Sequence, residues 1–287
     1  MALGHLGPNT MSTLERTVDH AVRHPSASCR LRIRALGELR LDRDGAPVSI
    51  VTRSQRAGPA RLLEALIASG GGPVAETRLH DWLWPDLEGD RAHRAFITTL
   101  HRLRRAIGIP EAIEFAGESL SLSREHVDFD VWTFQAACGQ GSGTLAQHAN
   151  HALEVYGGGL LADQPAMWCL PLRERLRDRL VALILHAGEA HECRGEPDKA
   201  LALYRRALER EPAIEPLFAA MMRCHLELGS PAEALRTFRR CEATLRVHYG
   251  LPPGRRTLGL LRQVDSVARP VRLCLEASLA PNALPCG

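Results

Sequence analysis

The sequence has almost no lysine. Lys199 is the only one, so nearly all of the basic charge is arginine. Two readings fit: selection for the forked guanidinium group, or a GC-rich genome whose codons favour Arg, Ala, Gly and Leu. Uninterrupted apolar runs are also missing; none approaches the roughly 18 residues that a membrane helix needs. The first 28 residues carry His, Asp, Glu and Arg and no apolar core, so a secretory signal is not expected. Among eight cysteines (Cys29, Cys138, Cys169, Cys193, Cys224, Cys241, Cys274 and Cys286) no C-x-x-C occurs. That spacing excludes a zinc ribbon and predicts reduced thiols, several of them on apolar helix faces, in a cytoplasm.

Catalytic signatures are lacking as well. A phosphate-binding loop needs a Gly-rich turn followed by Lys, and the sole lysine lies in a helical pattern. Gly250-Leu-Pro-Pro-Gly254-Arg255 imitates the spacing, but two prolines remove amide donors that a phosphate cradle uses. There is no G-x-S-x-G, and His191-Glu192 lacks the second histidine of a zinc-protease helix. No catalytic residues, metal ligands or cofactor are expected, and the chain is read as a non-enzyme.

What is present is an ordinary globular composition, 45% apolar and 24% charged, in 287 residues, long enough for two cores. The net charge of +3 is too small to argue for nucleic acid on its own. Leu31, Ile33 and Ala35 alternate with Arg30, Arg32 and Arg34, and Leu39 and Leu41 continue the period of two, predicting a strand with one wet face. Asp44-Gly45 supplies a turn and Val48–Val51 a returning strand. Helical spacing follows. Ala60, Leu63, Leu66 and Ile67 form a first stripe, stopped by Gly70-Gly71-Gly72-Pro73, and Leu79, Trp82 and Leu83 form a second, ended by Pro85. A third helix is predicted over Asp90–Ile107, stopped by Gly108 and Pro110. Two short strands, Ile113–Phe115 and Leu120–Leu122, then form a hairpin. Sheet, three helices and hairpin is the order of a winged helix with an extra N-terminal sheet.

Gly139, Gly141, Ser142 and Gly143 read as a linker, followed by helical pattern from Leu145 to about Val267. Within it, Gly195 and Gly229, Pro197 and Pro231, Ala200 and Ala234, Leu201 and Leu235, and Tyr204 and Phe238 are each 34 apart. His191 and His225 share the offset, as do Ala207 and Cys241. That is the period of tetratricopeptide repeats, in which small residues let two helices approach and an aromatic fills the gap. The equivalence of the two histidines favours packing over metal binding. The organisation expected is an extension over 1–28, a winged helix over 29–137, a linker over 138–147, a helical-repeat domain over 148–267 and a loose tail over 268–287.

The third helix carries the functional signal. On a helical projection Ala92, Thr99, Leu100, Leu103 and Ile107 cluster around Phe96, predicting the packed side. Opposite lie Arg91, Arg94, Thr98, His101, Arg102 and Arg105, and no carboxylate occurs between Arg91 and Ile107, whereas solvated faces mix both signs. A helix of this length, ~25 Å, fits a major groove. Arginine forks can take guanine O6 and N7 or clamp a phosphate. Arg91, Arg94 and Thr98 are assigned to base or near-base contacts, and His101, Arg102 and Arg105 to phosphates. The hairpin would be the wing, though Glu114 and Glu118 make its tip a poor phosphate contact. Arg53, Arg56 and Arg61 are the further candidates for phosphate clamps.

The segment Arg91–Ile107, R-A-H-R-A-F-I-T-T-L-H-R-L-R-R-A-I, resembles the recognition helix of OmpR-type winged helices, and most closely that of the Streptomyces antibiotic regulatory proteins (SARPs). Leu31–Leu41, L-H-D-W-L-W at Leu79–Trp84, V-D-F-D-V-W-T-F at Val127–Phe134 and A-L-E-V-Y-G-G-G-L-L at Ala152–Leu161 are similar to further stretches of that family, the last to the start of its bacterial transcriptional activator domain. The resemblance covers roughly Leu31 to Val264. It implies an α+β winged helix of OmpR type followed by an all-α tetratricopeptide-like domain. It further implies a transcription activator that binds double-stranded DNA at promoter repeats, contacts RNA polymerase and forms a homodimer, in the bacterial cytoplasm at the nucleoid and not at a membrane. Arg94 stands where the family often has Asn, and His101 where it often has Ser, so the operator does not transfer. A second reading is a protein-binding repeat adaptor whose winged helix has lost DNA.

Overall fold

The computed structural model describes residues 31–50, 58–139, 143–164 and 167–278, with side chains followed to residue 267. The chain opens with strands β1 (Leu31–Arg34), β2 (Arg40–Arg43) and β3 (Ala46–Pro47), and β7 (Val127–Phe129) returns beside β1 to give the sheet order β3-β2-β1-β7. Leu31 and Ile33 are wholly buried while Arg32 and Arg34 are exposed, the alternation that a one-sided sheet requires. β1 and β2 are antiparallel, with Ile33 opposite Leu41; β1 and β7 are parallel, with Ile33 opposite Phe129.

Two expectations are corrected. Leu31–Leu41 is not one strand: the chain turns between Arg34 and Arg40, and alternation survives because buried odd-numbered residues occur on both arms. The returning strand is Ala46–Pro47 rather than Val48–Val51; Val48 N–H still reaches Leu41 O at 2.8 Å, while Val51 lies outside the described residues.

Helices α1 (Pro59–Ala68), α2 (Glu76–Leu83) and α3 (Gly89–Ile107) follow, interleaved with a second sheet of order β4-β6-β5, from β4 (Val74–Ala75), β5 (Ile113–Ala116) and β6 (Ser119–Leu122). The β5–β6 hairpin is the wing. β4 and β7 were not foreseen; at two and three residues they are too short for a periodic signal.

Beyond α4 (Asp130–Ala137) the fold is helical. α5 (Leu145–Val155) starts in a capping box in which Thr144 and Gln147 satisfy each other's backbone amides. Helices α6 (Leu170–Cys193) and α7 (Pro197–Arg210) form one hairpin, and α8 (Glu215–Glu227) and α9 (Pro231–Tyr249) the next. The 34-residue period is realised in detail. Gly195 and Gly229 end their helices at φ +71° and +65°, a left-handed turn that side chains resist, and Pro197 and Pro231 start the next ones. Ala200, Ala234, Tyr204, Phe238, Ala207 and Cys241 are all buried at the helix contacts. His225 is buried and His191 Nδ1 lies 2.8 Å from Glu196, so both take structural places. α10 (Arg255–Ser278) closes the array; its helical backbone runs on to Ser278, whereas lost periodicity and the proline at 270 predict a loose tail there.

One continuous core joins the two halves. Residues Leu36 and Leu160 form a bridge, Leu161 N–H reaches Ala35 O at 2.8 Å and Gly37 N–H reaches Gly159 O at 3.1 Å. The G-G-G run at 157–159 is explained by that approach: a Cβ on Gly157 would lie 2.6 Å from Leu36 O. Asp130, buried at the start of α4, accepts the amides of Ala35 and Leu36 at 2.8 and 2.9 Å. Its desolvation raises the carboxyl from 3.8 to about 6, against the pull of those amides. Trp82 of α2 stacks on Trp168 at 5.7 Å between ring centres, a further tie across the boundary.

Of the five described thiols three are in the interior, while Cys138 is half-buried and Cys193 exposed. Cys169, Cys224 and Cys241 are buried, and burial pushes the latter two up to about 12.

Candidate nucleic-acid interface

α3 is held from one side only. Ala92, Phe96, Thr99, Leu100, Leu103 and Ile107 are buried, the whole of the predicted stripe, mainly against α1. Phe96 meets Phe115 of the wing at 5.3 Å and the His80 ring of α2 at 5.9 Å. Glu76, at the start of α2 and 9% exposed, lies 2.6 Å from His93 Nδ1 and 3.0 Å from His80 Nε2, fastening α2 to α3.

The ends of α3 are fixed as firmly. Asp90 sits in the first turn, where a carboxylate complements the helix dipole, and Arg104 and Arg105 sit in the last. Gly108 ends the helix at φ +75°, and Arg43 of β2 donates to Ile107 O at 3.1 Å, covering an orphan carbonyl. A Cβ at residue 108 would collide with that guanidinium. Arg104 is turned inward and donates to Ile113 O at 2.8 Å, linking the helix to the wing.

The opposite side is open. Arg91, Arg94, Thr98, His101, Arg102 and Arg105 are all exposed, and among the described residues no carboxylate pairs with any of the four arginines. Arg94 Nε donates to Asp90 O at 3.1 Å, and Thr98 Oγ1 donates to Arg94 O at 2.8 Å, which orients both along the helix. The six residues selected by spacing therefore do share one solvent face. Two members of that surface were not selected: Ile97, 40% exposed, and His93. Ile97 was findable as an apolar residue outside the packed stripe; the Glu76–His93 contact joins two helices and leaves no trace in periodicity.

The candidate clamps fare differently. Arg53 and Arg56 lie outside the described residues. Arg61 binds Glu64 at 2.7 Å, lies over the Trp168 ring at 4.9 Å and is mostly buried, so its guanidinium is engaged within the fold. The wing tip, with Glu114 and Glu118 exposed and no basic residue, offers no clamp.

Among the described residues no group of His, Cys, Asp or Glu has the arrangement of a metal site, and no helix is long and apolar enough to cross a membrane.

Comparison with known proteins bears on the family and the fold. Residues 129–264 match the family described as bacterial transcriptional activator domain, a match that takes in α4. Over 239 residues the chain is 26% identical to the transcriptional regulatory protein EmbR of Mycobacterium tuberculosis and of Mycobacterium bovis, covering 78% of this chain. The chain spans 61% of the length of these curated relatives. A solved structure of Mycobacterium tuberculosis EmbR, in complex with a low affinity phosphopeptide, shares the fold with a TM-score of 0.56 at 23% identity, over 85% of this chain and 71% of that one.

Proposed function

We infer from this premise, a SARP-like regulator with a bacterial transcriptional activator domain behind a winged helix, that the chain is a sequence-specific DNA-binding regulator which reads the major groove with α3. The observation that carries the reading is the segregation on α3. One side is wholly buried, and the other bears four unpaired arginines with Thr98 and His101 between them. A solvated helix gains nothing from such one-signed charge; a polyphosphate partner repays its repulsion through counterion release.

In the complex, Arg91, Arg94 and Thr98, in the N-terminal half, face base edges. His101, Arg102 and Arg105 hold phosphates, and Ile97 offers an apolar contact to a thymine methyl. The helical domain serves self-association and contact with RNA polymerase, and the protein acts as an activator at repeated promoter sites.

The test is promoter binding by an Arg94→Ala/Arg102→Ala variant, whose changes lie on exposed positions and leave folding intact. Loss of shifted complex with an unchanged melting temperature supports the assignment. Undiminished binding overturns it and favours the reading as a repeat adaptor. Genome-wide footprinting of the tagged protein would then reveal the operator.

A further inference from the structure

A second concentration of arginine lies far along the chain from α3. Arg223 of α8 and Arg255, Arg256 and Arg262 of α10 line one cleft of about 550 Å³, floored in part by Leu260. Among the described residues, Arg255, Arg256 and Arg262 form no ion pair, and Arg223 has only a 3.5 Å contact to Glu192. Four guanidinium groups facing one space repel each other, and the fold gains nothing visible from gathering them.

The cleft is also built. Glu215, at the start of α8, accepts the Gly254 amide at 2.7 Å and the Thr257 hydroxyl, fixing the first turn of α10 against α8. Thr257 is 1% exposed, and Leu260 and Val264 anchor α10 in a small core with Phe238 and Met222. The arginines thus stand on a helix whose rotation is set by packing.

The shape narrows the occupant. Along α10 the lining runs from Arg255 to Ser266, ~16 Å of helix, too long for one phosphate to serve. The space is shallow and open along one side, with room for a peptide-sized ligand laid along the helix. Leu258, exposed, is the helical neighbour of both Arg255 and Arg262, so apolar contact is available beside the charge. We propose that the α8–α10 cleft docks an acidic amphipathic segment of a partner protein, its carboxylates on Arg223, Arg255, Arg256 and Arg262 and its apolar side on Leu258.

This proposal does not depend on DNA reading by α3, and the two fail separately. The full chain is titrated with a fluorescein-labelled 16-residue Glu/Leu amphipathic peptide, with its Glu→Gln analogue, and with a 20-base-pair duplex. Wild type should bind the acidic peptide at least tenfold more tightly than the Gln analogue. Arg255→Glu/Arg262→Glu should lose tenfold or more, with an unchanged melting temperature and duplex affinity, while Arg239→Glu on the exposed side of α9 should bind as wild type. Equal binding of both peptides, no binding by wild type, or an unaffected double variant overturns the proposal. A double variant that loses duplex affinity instead makes the cleft a DNA-backbone surface and also overturns it.

Discussion

Tyr204 and Gly188 occupy each other's space: a Cβ on residue 188 would overlap the Tyr204 ring and hydroxyl, and that hydroxyl donates to Glu192 at 2.6 Å. The contact lies where α6 packs against α7 with no room for a side chain at residue 188. Gly188→Ala should therefore destabilise the protein by about 2 kcal/mol through forced displacement of a fully buried ring. The coupling is checkable by urea denaturation: Tyr204→Ala should cost clearly less in the Gly188→Ala background than alone. Simple additivity would mean that the two residues do not share the strain. At the equivalent positions 34 residues on, Met222 and Phe238 fill the same space without the hydroxyl.

The two halves of α3 should respond differently to truncation. Arg105→Ala, at the phosphate end, should weaken binding to all duplexes alike and lower the slope of log affinity against log salt by about 1. Arg94→Ala should relax discrimination at one base pair by roughly 1–3 kcal/mol with a smaller change in slope. Titrations at several salt concentrations, with single-base variants of the footprinted site, separate these effects.

Arg61 provides a contrast. Its partner Glu64 is 4% exposed, and desolvation pushes that carboxyl above the ordinary range despite the guanidinium. Arg61→Ala leaves a buried carboxylate alone and should cost on the order of 3 kcal/mol. DNA affinity of the folded fraction should stay at the wild-type value. A stable Arg61→Ala variant with weakened DNA binding would favour the phosphate-clamp role instead.

Asp130 gives the protein a pH signature. Its folded value of about 6 lies above the ordinary 3.8. Between those values the folded protein keeps a proton that the unfolded chain has released, so this contribution to stability falls as pH rises through the window. Lowering pH from about 7 to about 5 should add roughly 1 kcal/mol from this group. Asp130→Asn should lack that increment when urea midpoints of the two proteins are compared across the range. His225, whose burial holds its value below 6.5, acts in the opposite direction in both proteins and cancels in the difference.

Much of this architecture was legible because it repeats or alternates. The stripe around Phe96, the offset of 34 and the turns at Gly108, Gly195 and Gly229 are properties of single helices and their ends. What spacing could not carry were pairings between distant segments. The β1–β7 ladder rests on residues about a hundred positions apart, and the split of Leu31–Leu41 keeps its alternation through the turn. Arg61 shows the same limit: nothing near it in sequence announces its contact with Trp168. Projection places the arginines on α3 by face and leaves Arg104 off the open one; only the structure shows that Arg104 donates to Ile113 O.

The shared core at Leu36, Leu160, Asp130 and the Trp82–Trp168 stack has a practical consequence for anyone wishing to re-engineer this protein. Exchange of whole domains at the apparent linker would sever a hydrophobic interior rather than a hinge, and chimaeras cut there should be insoluble. Under the proposed reading of DNA by α3, new operator preference is better written one residue at a time on the outer side of that helix, where substitutions disturb neither wing nor repeat.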